Sequence, residues 1–347
     1  MAGATIYDVA ALAGVSIKTV SRVVNGEGHV TPATRDKVNA AVQQLGYRRS
    51  LSARSLAGSH SSIIAALVDA ELTIEHWRSG RGNDYLSRLE LGALMECRKA
   101  DHHLMVELVD HGSPTLEREL LALLGSIRPA GVLLTPPNSD HPTVLDVLDR
   151  AGVAYARISP EKALDRGVAV RMDERQAAHD MTRHLLDLGH RRIVHVAGPQ
   201  AYAASRLRRD GFRAAMTEAG VTVSEHSVVE GDFTFASGVA AVPALLAAEA
   251  TAVFAANDDM ALGLLQGLAA AGRSVPGDVS VAGFDDTPSA LFSTPALTTI
   301  RQPVAEMAAR AARSLIPALR ASAATADEPD MTPYSLIVRN STAALSA

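Results

Sequence analysis

Residues 6–25 read IYDVAALAGVSIKTVSRVVN, and the reading of this stretch decides the N-terminal fold. Thr5 supplies an N-cap, and Asp8 three residues on completes a capping box. Val9, Ala10 and Ala13 then recur at helical spacing. Gly14 permits a sharp turn because no Cβ obstructs the left-handed region. Ser16 caps a second helix that keeps Val20, Val23 and Val24 on one face. Thr31 and Pro32 open a third helix, as N-cap and first-turn proline. Val38, Ala41 and Leu45 form its buried stripe, and Gly46 ends it. Three short helices around this turn predict a helix-turn-helix domain.

The second helix leaves Ile17, Lys18, Ser21, Arg22 and Asn25 outward. An ordinary solvated helix would show Glu/Lys pairs there. Arg22 can instead bond bidentately to guanine O6 and N7, while Lys18 and Ile17 probe neighbouring bases. Thr5, Tyr7, Ser16, Thr19, Ser21, Asn25, Thr31 and Thr34 lie at helix ends and faces where phosphate contacts are expected. His29, Tyr47, Ser50 and Arg54 complete this part of the DNA-contacting set. The charge distribution agrees. Residues 1–60 carry seven Lys/Arg against three Asp/Glu, a net +4 within a chain of net −5. A basic head on an acidic body suits a head that meets phosphate. The competing reading is a plain three-helix bundle with a chance charge excess.

The remainder of the 347 residues alternates short apolar strands with helices. SIIAALVD, HLMVELV, AGVLLTP and VAYARIS are strands separated by helices over residues 85–100, 115–125 and 141–151. A second series follows: a helix over 174–188, RIVHVAG, a helix over 203–219, a strand near 227–230, a helix over 235–247, AVFAA, a helix over 258–271, and VSVAGF. This alternation means parallel sheets covered on both faces. Two such units predict two lobes, with a ligand site at the carboxyl ends of the strands between them.

That rule selects residues by position. RIVHVAG runs toward the basic stretch 206–209, AVFAA runs into Asn257-Asp258, and VSVAGF runs into Asp285-Asp286. Carboxylate, amide and guanidinium together suit sugar hydroxyls, which both donate and accept. Asn257 and Asp258 can equally cap the next helix, and Asp285-Asp286 can equally form a turn. Other chemistries lack their signatures. There is no G-x-x-x-x-G-K-[ST] phosphate loop and no G-x-S-x-G elbow. His102-His103 and the pair His179 and His184 lack metal-ligand spacing. No cofactor, metal or catalytic acid–base pair is expected. A single cysteine, Cys97, excludes an internal disulfide and fits a reducing compartment. No run of apolar residues reaches the length of a spanning helix, and MAGATIYDVA lacks the basic and apolar regions of an export signal. A cytoplasmic protein with no membrane partner is expected.

The head, IYDVAALAGVSIKTVSRVVNGEGHVTPATRDKVNAAVQQLGYRRSLSARSLAG, resembles that of the LacI/GalR bacterial transcription regulators without gaps. GHRRIVHVAGP, RRDGF, VFAANDDMALG, VPGDVSVAGFDDTPSA and PALTTIRQP resemble successive blocks of that family's effector domain, which is similar to sugar-binding periplasmic proteins. The resemblance implies an α/β chain with a three-helix helix-turn-helix domain (1–49), a hinge helix and linker (50–60), and a type I periplasmic-binding-protein-like domain (61–347) with two parallel sheets. The first lobe would take residues 61–160 and 292–322, the second 161–291 and 330–345. Crossings are expected near 159–164, 287–294 and 321–332, with PYSLIVR returning to the second lobe. It also implies that Leu56 wedges into the minor groove and that Ala53 and Ala57 let paired hinge helices approach. Arg49 and Ser50 depart from the Pro-Asn of many relatives, which leaves the hinge geometry open.

By motif position the family's effector arginine, asparagine and aspartate fall on Arg208, Asn257 and Asp285. Ser159 follows the fourth strand, where several sugar-responsive relatives carry Asp. Asp69 and Tyr85 are further candidates in the first lobe. The stretch ELTIEHWRSGRGND, read as a loop over 71–84, is longer than usual, and its Trp77 could stack on a sugar or pack on the surface.

The implied function is a non-enzymatic repressor. It binds a pseudo-palindromic operator as a homodimer and is released by a sugar or glycoside in the cleft. A corepressor-dependent regulator, a pure sugar-binding protein and a sugar-acting enzyme on a DNA-binding head are the alternatives.

Overall fold

The computed structural model describes residues 4–24, 30–47, 62–82, 84–317 and 331–345. The chain divides into two compact units, Met1–Ser62 and Ile63–Ala347.

The first unit holds α1 (Ile6–Ala13), α2 (Ile17–Val24) and α3 (Pro32–Leu45). Both halves of the Thr5–Asp8 capping box form, the Asp8 carboxylate accepting from the Thr5 amide at 2.8 Å. Gly14 closes α1 in the left-handed region at φ 65°. Ser16 Oγ accepts from the Thr19 amide and starts α2. Thr31 caps α3, with Pro32 in its first turn and left-handed Gly46 at its end. Val9, Val20, Val23, Val38 and Ala41 meet in one small core, with Val24 and Leu45 packed against it.

The second unit opens with β1 (Ile63–Asp69), α4 (Ala70–Ser79), α5 (Asp84–Lys99), β2 (His103–Val109), α6 (Leu116–Ile127), β3 (Gly131–Leu134), α7 (Pro142–Ala151), β4 (Tyr155–Ile158) and β5 (Val168–Val170). These strands form one parallel sheet in the order β2-β1-β3-β4-β5. There follow α8 (Glu174–Asp187), β6 (Ile193–Ala197), α9 (Ala203–Glu218), β7 (Val228–Glu230), α10 (Phe235–Ala247), β8 (Ala252–Ala255), α11 (Asp258–Ala270) and β9 (Ser280–Ala282). They form a second parallel sheet in the order β7-β6-β8-β9. Then come α12 (Pro288–Phe292), β10 (Thr299–Arg301), α13 (Val304–Leu315) and β11 (Ser335–Ile337), with β10 and β11 antiparallel.

Both sheets are covered on both faces. Residues 64–68 of β1 and all of β3, β4, β6 and β8 are buried, as parallel strands between helix layers must be. Helices α5 and α13 cover one face of the first sheet and α6 and α7 the other. Helices α8 and α9 cover one face of the second sheet, α10 and α11 the other. Two glycines set helix spacing. A Cβ on Gly92 of α5 would lie 2.0 Å from the Ala305 carbonyl oxygen of α13, and one on Gly211 of α9 would lie 2.1 Å from that of Arg175.

Three expectations change. The stretch read as a loop over 71–84 contains helix α4. Asp69 caps it by accepting from the Leu72 amide at 3.2 Å, and left-handed Gly80 ends it. Trp77 on α4 is 58% exposed and does not line the cavity described below. The first crossing between lobes comes after Val170, not at 159–164, because β5 adds to the first sheet. The second comes at β10 rather than 287–294: Ala290 of α12 packs in the second lobe's core. Most of the third, 321–332, lies outside the described residues. Within PYSLIVR, β11 pairs with β10, and Ser341 just beyond it accepts from the Val281 amide of the second sheet.

Candidate functional site

On the first unit, α2 presents Ile17, Lys18 and Arg22 to solvent, as are Thr5, Tyr7, Ser16 and Thr31. Tyr7 is 69% and Ile17 42% exposed, high for large apolar side chains, and neither packs in this unit's core. Thr19, Ser21, Thr34 and Tyr47 are half-buried. Ser16 and Thr19 share a hydroxyl–hydroxyl bond of 2.9 Å, as do Thr31 and Thr34. These pairs place hydroxyls at the N-termini of α2 and α3, where partial positive charge favours phosphate. Asn25, His29, Ser50, Ala53, Arg54, Leu56 and Ala57, and with them the hinge, lie outside the described residues.

In the second unit, Asp69, Tyr85, Ser159, Arg208, Asn257 and Asp285 all line one cavity between the lobes. Its volume is about 120 Å³, room for several waters that a small ligand would displace.

The second lobe builds its side of the cavity from helix starts and strand ends. Asn257 follows β8 and caps α11: its Oδ1 accepts from the Met260 amide at 3.0 Å and its Nδ2 donates to the Phe233 carbonyl at 2.9 Å. Capping orients the amide and leaves one donor and one acceptor position unused. Arg208 is only 4% exposed, and Glu174 facing it 3%. Its Nε donates to Glu174 at 2.9 Å, its Nη1 to the Ala256 carbonyl at 2.5 Å, and its plane lies 3.6 Å over the Phe284 ring. The guanidinium is therefore locked in place at the cavity wall.

Asp285 adopts φ 126° just past β9 and accepts from the Gln302 amide. Behind it, buried Asp258 accepts from Thr299 Oγ1 at 2.6 Å and from the Thr287 amide at 2.8 Å, holding the two chain segments that flank Asp285. Burial pushes Asp258 well above the usual carboxylate range, and Asp285 up to about 6 against the pull of Arg208. Strained backbone at a cleft residue is a reason to assign it a function.

The first lobe contributes Asp69, Tyr85 and Ser159. Asp69 Oδ2 accepts from Tyr202 Oη at 2.6 Å, and Oδ1 faces His111 Nδ1 at 3.2 Å. Burial pushes the Tyr85 phenol up, so it stays a neutral donor. Ser159 sits at φ 47°, its amide bonded to the Val170 carbonyl at 2.9 Å. Fully buried Arg157 positions its loop by donating to the carbonyls of Ser139, Lys162, Ala163 and Arg166.

Sequence reading missed Tyr202, Glu174, Asp259, Gln302 and the α4 residues Leu72, Thr73 and His76, which also line the cavity. Asp259 adjoins Asn257, and Gln302 lies in PALTTIRQP, so both were within reach of the same blocks. Glu174 reads as a first-turn acid and Tyr202 as a turn residue; only the packed lobes bring them to the cleft.

Comparison with known proteins places this geometry. Residues 5–50 match the profile described as bacterial regulatory proteins, lacI family, and residues 182–342 match the periplasmic binding protein-like domain. The chain is 36% identical over 320 residues to the HTH-type transcriptional regulator CelR of Thermobifida fusca, covering 90% of this chain and 91% of that one. It is 34% identical over 307 residues to the ribose operon repressor of Escherichia coli, covering 88% and 89%. Among solved structures, a lac repressor dimer bound to operator and the anti-inducer ONPF matches with a TM-score of 0.79 at 28% identity, over 99% of this chain and 100% of that one. A CelR–cellobiose complex matches with a TM-score of 0.70 at 33% identity, over 97% and 99%. The chain belongs to the LacI family of bacterial transcriptional regulators.

Proposed function

We propose that this regulator is a repressor that binds a pseudo-palindromic operator as a homodimer and is released when a small sugar occupies the cleft between its lobes. The observation that carries the reading is the convergence of Arg208, Asn257 and Asp285 with Tyr85, Ser159 and Asp69 on one cavity, in a chain that also carries an exposed recognition helix. Hydroxyls of a sugar donate to the carboxylates and accept from Arg208 and Tyr85. Lys18 and Arg22 supply the base-reading and phosphate-binding charges. The protein works by binding rather than by turnover, and acts in the cytoplasm beside the DNA. No described helix is long and apolar enough to cross a membrane.

Dimerisation is supported by the outer face of α5. Leu91, Leu94 and Met95 are 55, 40 and 49% exposed, at the i, i+3, i+4 spacing of one helical stripe. A two-fold pairing through such a stripe would present two heads to two half-sites. Induction requires the sugar to bind the closed and operator-bound forms unequally. A hundredfold loss of operator affinity needs about 2.7 kcal/mol of coupling.

Operator retention in a gel shift, with and without a panel of sugars, tests this. Retardation of a pseudo-palindromic site that a sugar reverses is expected; retention with every sugar would end the induction reading.

A further inference from the structure

We infer that the cleft is built to exclude anions, so that its effector is an uncharged or amine-bearing sugar and never a phosphate ester or sugar acid. The inference deepens the sugar-effector reading above and rests on it.

Charge is the first reason. Four carboxylates, Asp69, Glu174, Asp259 and Asp285, line the cavity, and among the described residues Arg208 is the one Lys or Arg that does so. Arg208 is already neutralised by Glu174 at 2.9 Å. Two further cations stand near without lining the cavity. Arg81 lies 4.1 Å over the Phe235 ring, and Arg88 donates to the backbone carbonyl of Asp285 at 3.0 Å; neither lines the cavity. Burial, with the neighbouring carboxylates, lifts Asp259 to about 7 against Arg81, and burial lifts Asp285 to about 6 against Arg208 and Arg88. A phosphate placed here would add like charge inside a desolvated space, where repulsion is screened least.

Hydrogen-bond polarity is the second. The usual phosphate cradle is a helix N-terminus with free amides. Here α11 begins with Asp258 and Asp259 in its first turn, and α4 is capped by Asp69 itself. The start of α9 has no side-chain cap, but its Tyr202 donates its hydroxyl to the Asp69 carboxylate, a further acceptor on the cavity wall. The walls are therefore rich in acceptors. A sugar hydroxyl or an ammonium group can donate to them; a phosphate or carboxylate offers only acceptors of its own.

The test is calorimetric titration of the full chain, slightly above neutral pH so that the acids are ionised. The probes are glucose, galactose, ribose and cellobiose, with glucosamine, galactosamine, glucose 6-phosphate, galactose 6-phosphate, ribose 5-phosphate, glucuronate and cellobionate as charged counterparts. The phosphate ester or acid of whichever sugar binds should be weaker by about 100-fold, and the amino sugar should match or exceed its parent. Asp259→Asn should narrow the gap between neutral sugar and anion. An anion within tenfold of its neutral parent overturns the inference while leaving the sugar reading in place. Silence from the whole panel counts against both.

Discussion

Tyr202 donates its hydroxyl to Asp69 Oδ2 at 2.6 Å, and the two residues belong to opposite lobes. Asp69 ends β1 of the first sheet and caps α4; Tyr202 precedes α9 of the second lobe. The bond therefore bridges the two lobes, and parting them would break it, beside the cavity both residues line.

Tyr202→Phe removes this bond and leaves a buried carboxylate one donor short, at a cost of about 1–3 kcal/mol to the closed form. The closed population falls, and apparent sugar affinity falls with it by about tenfold or more. Operator affinity without sugar should be unchanged. Calorimetry and gel shift read the two quantities separately, and an unaltered sugar affinity would dissociate this bond from closure.

Asp285→Ala should leave operator binding intact and abolish the response to sugar. The control is secondary structure by circular dichroism, since Asp285 also accepts from Gln302. A folded variant that still releases operator on adding sugar would remove Asp285 from the effector site.

Arg22→Ala should cost about 1–3 kcal/mol of operator affinity and relax selectivity at one base pair. Lys18→Ala would lower affinity more evenly across sequences if it meets phosphate. Binding to operators substituted at each position distinguishes the two; uniform weakening by Arg22→Ala would make Arg22 a phosphate contact instead.

His195 links stability to pH. It is fully buried, with ring centroids 5.4 Å from Phe212 and 4.9 Å from Phe254, and Nδ1 2.9 Å from the Phe254 carbonyl. Burial, aided by nearby arginines, holds its pKa down at about 4. In the unfolded chain it protonates near pH 6.5. The folded state binds fewer protons between these values. Stability is therefore intact above about pH 6.5 and declines as pH falls toward 4, by about 3 kcal/mol at most. That is the His195 share alone; Asp258, Asp259 and Asp285, all raised by burial, work in the opposite sense over part of that range. Urea midpoints at neutral and mildly acid pH should thus drop more for wild type than for His195→Gln. Equal drops would place the pH dependence elsewhere.

Gly92→Ala should destabilise the second unit by about 1–3 kcal/mol, because the added Cβ meets the Ala305 carbonyl and must push α5 from α13. A melting temperature equal to wild type would mean the pair can separate without loss.

Much of the molecule was legible because the signals are local. A capping box, a left-handed glycine and a proline in the first turn act within one turn of backbone, so the three helices of the head could be placed from Thr5, Gly14, Ser16, Pro32 and Gly46. Strands between two helix layers must be apolar on both faces, so β1, β3, β6 and β8 stand out as continuous runs. The carboxyl-end rule singles out Asn257 and Asp285 from their place after the strands β8 and β9.

Other features depend on residues distant in sequence. Helix α4 looked like a loop because its pattern is mostly polar; it is held by the Asp69 cap and by Leu72 packing against the second lobe's core. β5 and β10 are three residues each, too short to carry a periodic signal. The sequence by itself determined the helix-turn-helix, the two parallel sheets and the strand ends at which a ligand could sit. Only the tertiary structure decided that Glu174 locks Arg208, that Tyr202 reaches Asp69, and that four carboxylates share one cavity. Those pairings join residues 34 and 133 positions apart, and desolvation, which sets the cost of each charge, exists only after the lobes have packed.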